Sequence, residues 1–205
     1  MINRNIKTLY NAKANDSFRT KLNLFLFDSV MNGESRFDLE GFTTFEITKQ
    51  LVDLYTTVYW QQDADHVIEP GNMSCDEIYI KICDLIRNHP KEIKEFKADY
   101  VINRFPEIFD YDDFVMLVMN DHCDYCGITN DEINALADKQ QLRKKNFRGW
   151  TLEIDRLDSN LEYSKDNCVL ACYWCNNAKT DEFTFEEFKE VGKVIRKIWD
   201  KRLKG

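Results

Sequence analysis

Residues 152–181 read LEIDRLDSNLEYSKDNCVLACYWCNNAKTD. Leu152 and Ile154 alternate with Glu153 and Asp155, the period of a strand with one buried face. The polar run 160–167 is turn chemistry, and CVLAC, 168–172, predicts a second short strand. CYWCNNAKTD, 172–181, predicts an immediate turn into a helix. Upstream, residues 123–127 read CDYCG, so the pairs Cys123/Cys126 and Cys172/Cys175 bracket a strand, loop, strand and helix. A C-x-x-C turn presents two sulfurs, and four thiolates complete a tetrahedral zinc site with no open position for water. The expected zinc is therefore structural. Redox thiols or buried apolar cysteines are the competing readings. His122, beside Cys123, is either an outer-shell or substitute ligand or an exposed polar residue.

The flanks set the class. With 43% hydrophobic and 13% aromatic residues the 205-residue chain can bury a sizeable core, and 7 Gly and 3 Pro argue against a disordered or fibrous chain. The first residues lack a signal-peptide run and no stretch is long enough to cross a bilayer, so a cytoplasmic protein without membrane partners is expected. Seven cysteines fit a disulfide framework poorly, being odd in number. Cys75, Cys83 and Cys168 read as small core residues.

Residues 1–105 read as helical. Phe18, Leu22, Phe25, Leu26 and Val30 share a face that stops at Gly33. Thr43/Glu46 and Ser74/Glu77 have capping-box spacing, and Ile78, Ile82, Leu85 and Ile86 stack behind the second. The segment GESRFDLEGF reads as a loop or a short irregular stretch, and KEIKEFKADYVINRF as one more helix before Pro106. Beyond it, YDDFVMLVM predicts a short buried helix and NDEINALADKQQL a polar one. Thr184/Glu187 cap a final helix with Phe188, Val191, Ile195, Ile198 and Trp199 inward. The fold class expected is α+β and mainly helical, with a helical region over 1–105 and a zinc-stapled module over 106–205.

In their order and spacing, CDYCG, LEIDRLDSN and YSKDNCVLACYWCNNAKTD resemble the HNH nuclease family, the ββα-metal fold in its four-cysteine form. The resemblance runs from about Cys123 to Asp181. It implies that Asp155, at the strand end, and Asn176, after the closing C-x-x-C, bind a catalytic divalent cation, Mg²⁺ or Mn²⁺, through hard oxygen donors. Asn167 corresponds to the middle residue of the motif, which fixes the loop by hydrogen bonds. Lys179, one turn along the helix, is either a phosphate contact or an exposed lysine. The chain departs from the family at Arg156, where the general-base histidine belongs. Arginine stays protonated and cannot accept a proton. Glu153 is then a candidate metal ligand or base, with Asp158 and Tyr163 behind it, and Arg156 a candidate stabiliser of phosphate charge or a plain salt-bridge partner.

The resemblance implies an endonuclease acting on nucleic acid, with DNA the expected substrate. Two other classes stay open: an inactive nucleic-acid-binding module, and a protein-interaction component working through residues 1–105. The net charge of −8 opposes phosphate binding. The run 139–148, with Lys139, Arg143, Lys144, Lys145 and Arg148, and the basic tail from Lys189 are the patches that offset it, or else a solvated loop and helix face.

Overall fold

The structure, a computed structural model, describes residues 5–33, 37–60, 65–69, 71–142 and 149–205. The described residues are mainly helical, with two small antiparallel sheets among them. The chain packs as two compact units, Met1–Asp110 with Asn160–Tyr163, and Tyr111–Ser159 with Ser164–Gly205. None of the described helices is long and apolar enough to cross a membrane.

In the first unit, helix α1 (Ile6–Asn32) starts where the Asn5 side chain accepts from the Thr8 N–H and stops at Gly33, whose φ of 78° suits glycine. Phe18, Phe25, Leu26 and Val30 are buried on it, and Leu22 packs against the same core beside Ile78 and Leu85. Helix α2 (Leu39–Thr44) follows Asp38, whose carboxylate accepts from the Gly41 N–H. That corrects two expectations. The stretch expected as a loop or irregular segment is helical from Leu39, and Thr43 ends a helix instead of starting one. The next helix, α3 (Lys49–Asp53), is capped by Thr48 and runs on as a π-helical turn, Leu54–Tyr59.

Hairpin strands β1 (Val67–Ile68) and β2 (Met73–Ser74) lead into α4 (Cys75–Asn88), where Ser74 and Glu77 form the reciprocal capping box that their spacing predicts. Ile78 and Leu85 are buried, but Ile86 is 47% exposed. Helix α5 (Pro90–Asp99) continues through a π-helical stretch, Tyr100–Arg104, into α6 (Phe105–Ile108). Phe42 and Phe96 stack at 4.9 Å in this unit's aromatic core. Segment 160–163 is bound here too: the Tyr163 N–H donates to Ser17 Oγ at 2.9 Å, and Tyr100 Oη donates to Glu162 Oε1 at 2.6 Å. Ser17 and Tyr100 are fully buried.

In the second unit, helix α7 (Tyr111–Met119) buries Phe114 but leaves Met116 and Met119 exposed, so it is less buried than its composition predicts. Helix α8 (Asn130–Asp138) has a capping box from Thr129 and Glu132. Strands β3 (Glu153–Arg156) and β4 (Cys168–Ala171) pair antiparallel, with Ile154 opposite Leu170 and Asp155 opposite Val169, and α9 (Tyr173–Lys179) follows at once. The last helix, α10 (Phe185–Lys204), opens with the predicted Thr184/Glu187 box.

Phe188 and Trp199 face inward on α10, but Val191 and Ile198 do not. Between the two buried residues sits Gly192, against the backbone of Tyr125: a Cβ there would lie 2.3 Å from the Tyr125 carbonyl oxygen. The contact needs the absence of a side chain, so the apolar stripe misstates the inward face. Gly192→Ala, ordinarily a gain of about 1 kcal/mol inside a helix, should instead cost about 1–3 kcal/mol through overpacking. A lower urea midpoint checks this, and an unchanged or higher one refutes the close approach.

Candidate metal centre and active site

The four cysteines of the two C-x-x-C pairs are all buried, and their sulfurs lie within 4.8 Å of one another. Each pair owes its place to local hydrogen bonding. The Cys123 N–H donates to the Ile128 carbonyl and the Gly127 N–H to the Cys123 carbonyl, at 2.9 and 2.7 Å, with Gly127 at a φ of 71°. Asp124 fastens this knuckle to β4, its N–H donating to the Leu170 carbonyl and its carboxylate accepting from the Leu170 N–H. The second pair starts α9, where Cys172 Sγ accepts from the Cys175 N–H at 3.5 Å.

The donor set suits a soft tetrahedral metal. Zinc–sulfur bonds of about 2.3 Å imply sulfurs about 3.8 Å apart, and Cys126 Sγ and Cys172 Sγ are separated by 3.8 Å. Hydrogen bonds from Cys126, Cys172 and Cys175 hold the Cys123 thiol far below its usual range, while sharing with Cys123 and burial push Cys172 and Cys175 up. Cys75, Cys83 and Cys168 take no part in the cluster.

Beside the cluster, strand alternation puts Glu153 and Asp155 on one face of β3 and Ile154, which is buried, on the other. Helix α9 brings Asn176 to the acidic face, where its Nδ2 donates to Glu153 Oε2 at 2.9 Å. Asp155 Oδ2 accepts from the Tyr125 hydroxyl at 2.7 Å. Burial pushes the Asp155 carboxyl up, against the pull of the Tyr125 hydrogen bond and the positive charges of Lys179 and Arg156. Arg156 alternates to the other face, in register with Cys168. Two carboxylates and an amide supply oxygen donors of the kind a hard divalent cation takes.

Asn167 is buried in the connecting loop and bonds Asp158 twice, Nδ2 to the carbonyl and Oδ1 from the N–H, at 3.0 and 2.9 Å. Lys179 corrects both sequence readings. It is 2% exposed, and its ammonium donates to the carbonyls of Arg156, Leu157 and Thr180. It joins the end of β3 to the end of α9, where Thr180 sits at a φ of 54°. Tyr163 packs with the first unit, its hydroxyl accepting from Lys13 Nζ. His122 is exposed and pairs with Asp121.

Of the predicted residues, Glu153 is thus brought to Asn176, Asp155 shares the strand face of Glu153, and Tyr125 joins Asp155 unpredicted. Nothing in the letters CDYCG marks its hydroxyl, since the partner lies 30 positions away. Of the basic run, Arg143, Lys144, Lys145 and Arg148 lie outside the described residues. In the basic tail, Arg196 is engaged by Glu132 and Asp200, with two 2.7 Å bonds to the Glu132 carboxylate.

No model of a known protein family matches the chain, and no curated protein does. Among solved structures, that of the rare-cutting HNH restriction endonuclease PacI is similar over 69% of this chain and 92% of its own, at 25% identity and with a TM-score of 0.35. A TM-score that low does not establish a shared fold.

Proposed function

We propose that this chain is a metal-dependent endonuclease of the HNH type, with residues 106–205 as the nuclease module and DNA as the substrate. The observation that carries the reading is the pairing of Glu153 on β3 with Asn176 on α9, at the strand face that also bears Asp155, over a hairpin closed by Asn167 and next to the four-cysteine cluster. In this reading zinc occupies the cluster. Asp155 and Asn176 hold Mg²⁺ or Mn²⁺, which supplies polarisation of the scissile phosphate and of the attacking water. Glu153, on the same strand face, takes the proton that the missing histidine would take elsewhere. Arg156 and the buried Lys179 bring positive charge near Asp155.

Arg156 also favours a second reading, an inactive module that binds nucleic acid through the same hairpin. Plasmid DNA separates the two. The nuclease reading expects nicking with Mg²⁺ or Mn²⁺ and none with chelator. Retention of DNA without nicking would replace it with the second reading, and neither activity would point to a protein-interaction role for residues 1–105.

A further inference from the structure

Tyr125 links the two candidate metal sites physically. It is the third residue of the first cysteine knuckle, and its hydroxyl ends on a carboxylate oxygen of Asp155. Its ring is 4% exposed and has little freedom. The rings of Phe185 and Phe188 lie 5.3 and 5.2 Å away, the second edge-on, and Gly192 closes on its backbone. Its neighbours Cys123 and Cys126 give their sulfurs to the cluster, and Asp124 pins the turn to β4. The phenol therefore has one position, and that position is set by the knuckle.

We infer that Tyr125 is a positioning residue that orients the Asp155 carboxylate for the divalent cation, so that the four-cysteine centre sets the affinity of the oxygen site beside it. The inference rests on the nuclease reading of Asp155. The physical reason is orientational. A carboxylate on a short side chain has two rotatable bonds, and a ligand that must be frozen when the ion arrives binds it more weakly than one already held. A hydrogen bond to one oxygen fixes the plane of the group. A phenol is a hydrogen-bond donor at neutral pH, since its ordinary pKa is about 10, and a carboxylate oxygen can only accept from it.

Partners of this kind, when removed, weaken metal binding by about 10–100-fold. The test is Mn²⁺ titration of zinc-loaded full chain by calorimetry, with no nucleic acid present, for the wild type, Tyr125→Phe and Asp155→Ala. The phenylalanine keeps the ring and its packing, and zinc content with near-ultraviolet circular dichroism confirms the fold. The expected result is strong binding by the wild type, binding about 10-fold or more weaker for Tyr125→Phe at unchanged zinc content, and none for Asp155→Ala. A purely structural tyrosine would lower the melting temperature and leave Mn²⁺ affinity alone; that outcome overturns the inference and spares the nuclease reading. If the wild type fails to bind Mn²⁺, or Asp155→Ala binds it equally well, the reading of the site falls and the inference with it.

Discussion

Asp155→Ala should lower divalent-metal-dependent cleavage about a thousandfold or more while zinc content and folding stay close to wild type. Asp155 is the strand-end carboxylate that receives the Tyr125 hydroxyl and lies within reach of the charges of Lys179 and Arg156. Removing it takes away a charged ligand in a partly dry setting, where stabilisation of the growing phosphate charge amounts to several kcal/mol, and about 1.4 kcal/mol is tenfold in rate. The structural cost is small by comparison. It leaves the Tyr125 hydroxyl without that acceptor, a loss of about 1–3 kcal/mol, and the cluster sulfurs are untouched. Asn176→Ala should lose most of the activity as well, since it removes the proposed second ligand and the hydrogen bond to Glu153. Plasmid nicking assayed alongside zinc analysis and thermal melting reads all three quantities. Undiminished cleavage by Asp155→Ala would move the active site elsewhere.

The larger effect on stability belongs to the cysteines. Cys172→Ser should release the metal and abolish the cooperative melting of the second unit. Its sulfur lies 3.8 Å from that of Cys126, so the substitution breaks the cluster, while a serine at the N-cap of α9 still accepts from the Cys175 N–H and leaves the helix start capped. A structural zinc contributes about 10–16 kcal/mol of apparent binding free energy, as much as or more than the about 5–15 kcal/mol that keeps a whole domain folded. Cys83→Ser is the control, because Cys83 is half-buried and lies outside the cluster. Metal analysis and circular dichroism melts report the difference. A Cys172→Ser protein with one zinc per chain and an unchanged melt would remove the structural-metal claim.

What could be read from the sequence is what short-range chemistry decides. Ser74/Glu77 and Thr184/Glu187 form the capping boxes that their spacing predicts, since each is completed within four residues. Thr43/Glu46 has the same spacing and forms none, because Asp38 had already started a helix that ends at Thr44. The strand pair was readable from Leu152 and Ile154, and the cluster from two C-x-x-C turns. Contacts that depend on a distant backbone were not readable. Lys179 looks like any helical lysine until the carbonyls of Arg156 and Leu157 are placed beside it. On α10 the inward residue is a glycine, and hydrophobic periodicity has no way to register a contact made by a missing side chain.

The segment 160–163 sets the order in which the molecule can be made. Ser17 accepts a hydrogen bond from a residue 146 positions later, and Tyr100 gives one to Glu162, 62 positions on. A chain leaving the ribosome therefore cannot complete its first unit until residue 163 has emerged, although every helix of that unit is in place by Ile108. Until then the Tyr100 hydroxyl and Ser17 Oγ have each other, at 2.9 Å, but not the Glu162 carboxylate and the Tyr163 N–H that complete the network. Loops closed over such distances form late and slowly. Synthesis of the hairpin is in this way a condition for finishing the helices that precede it.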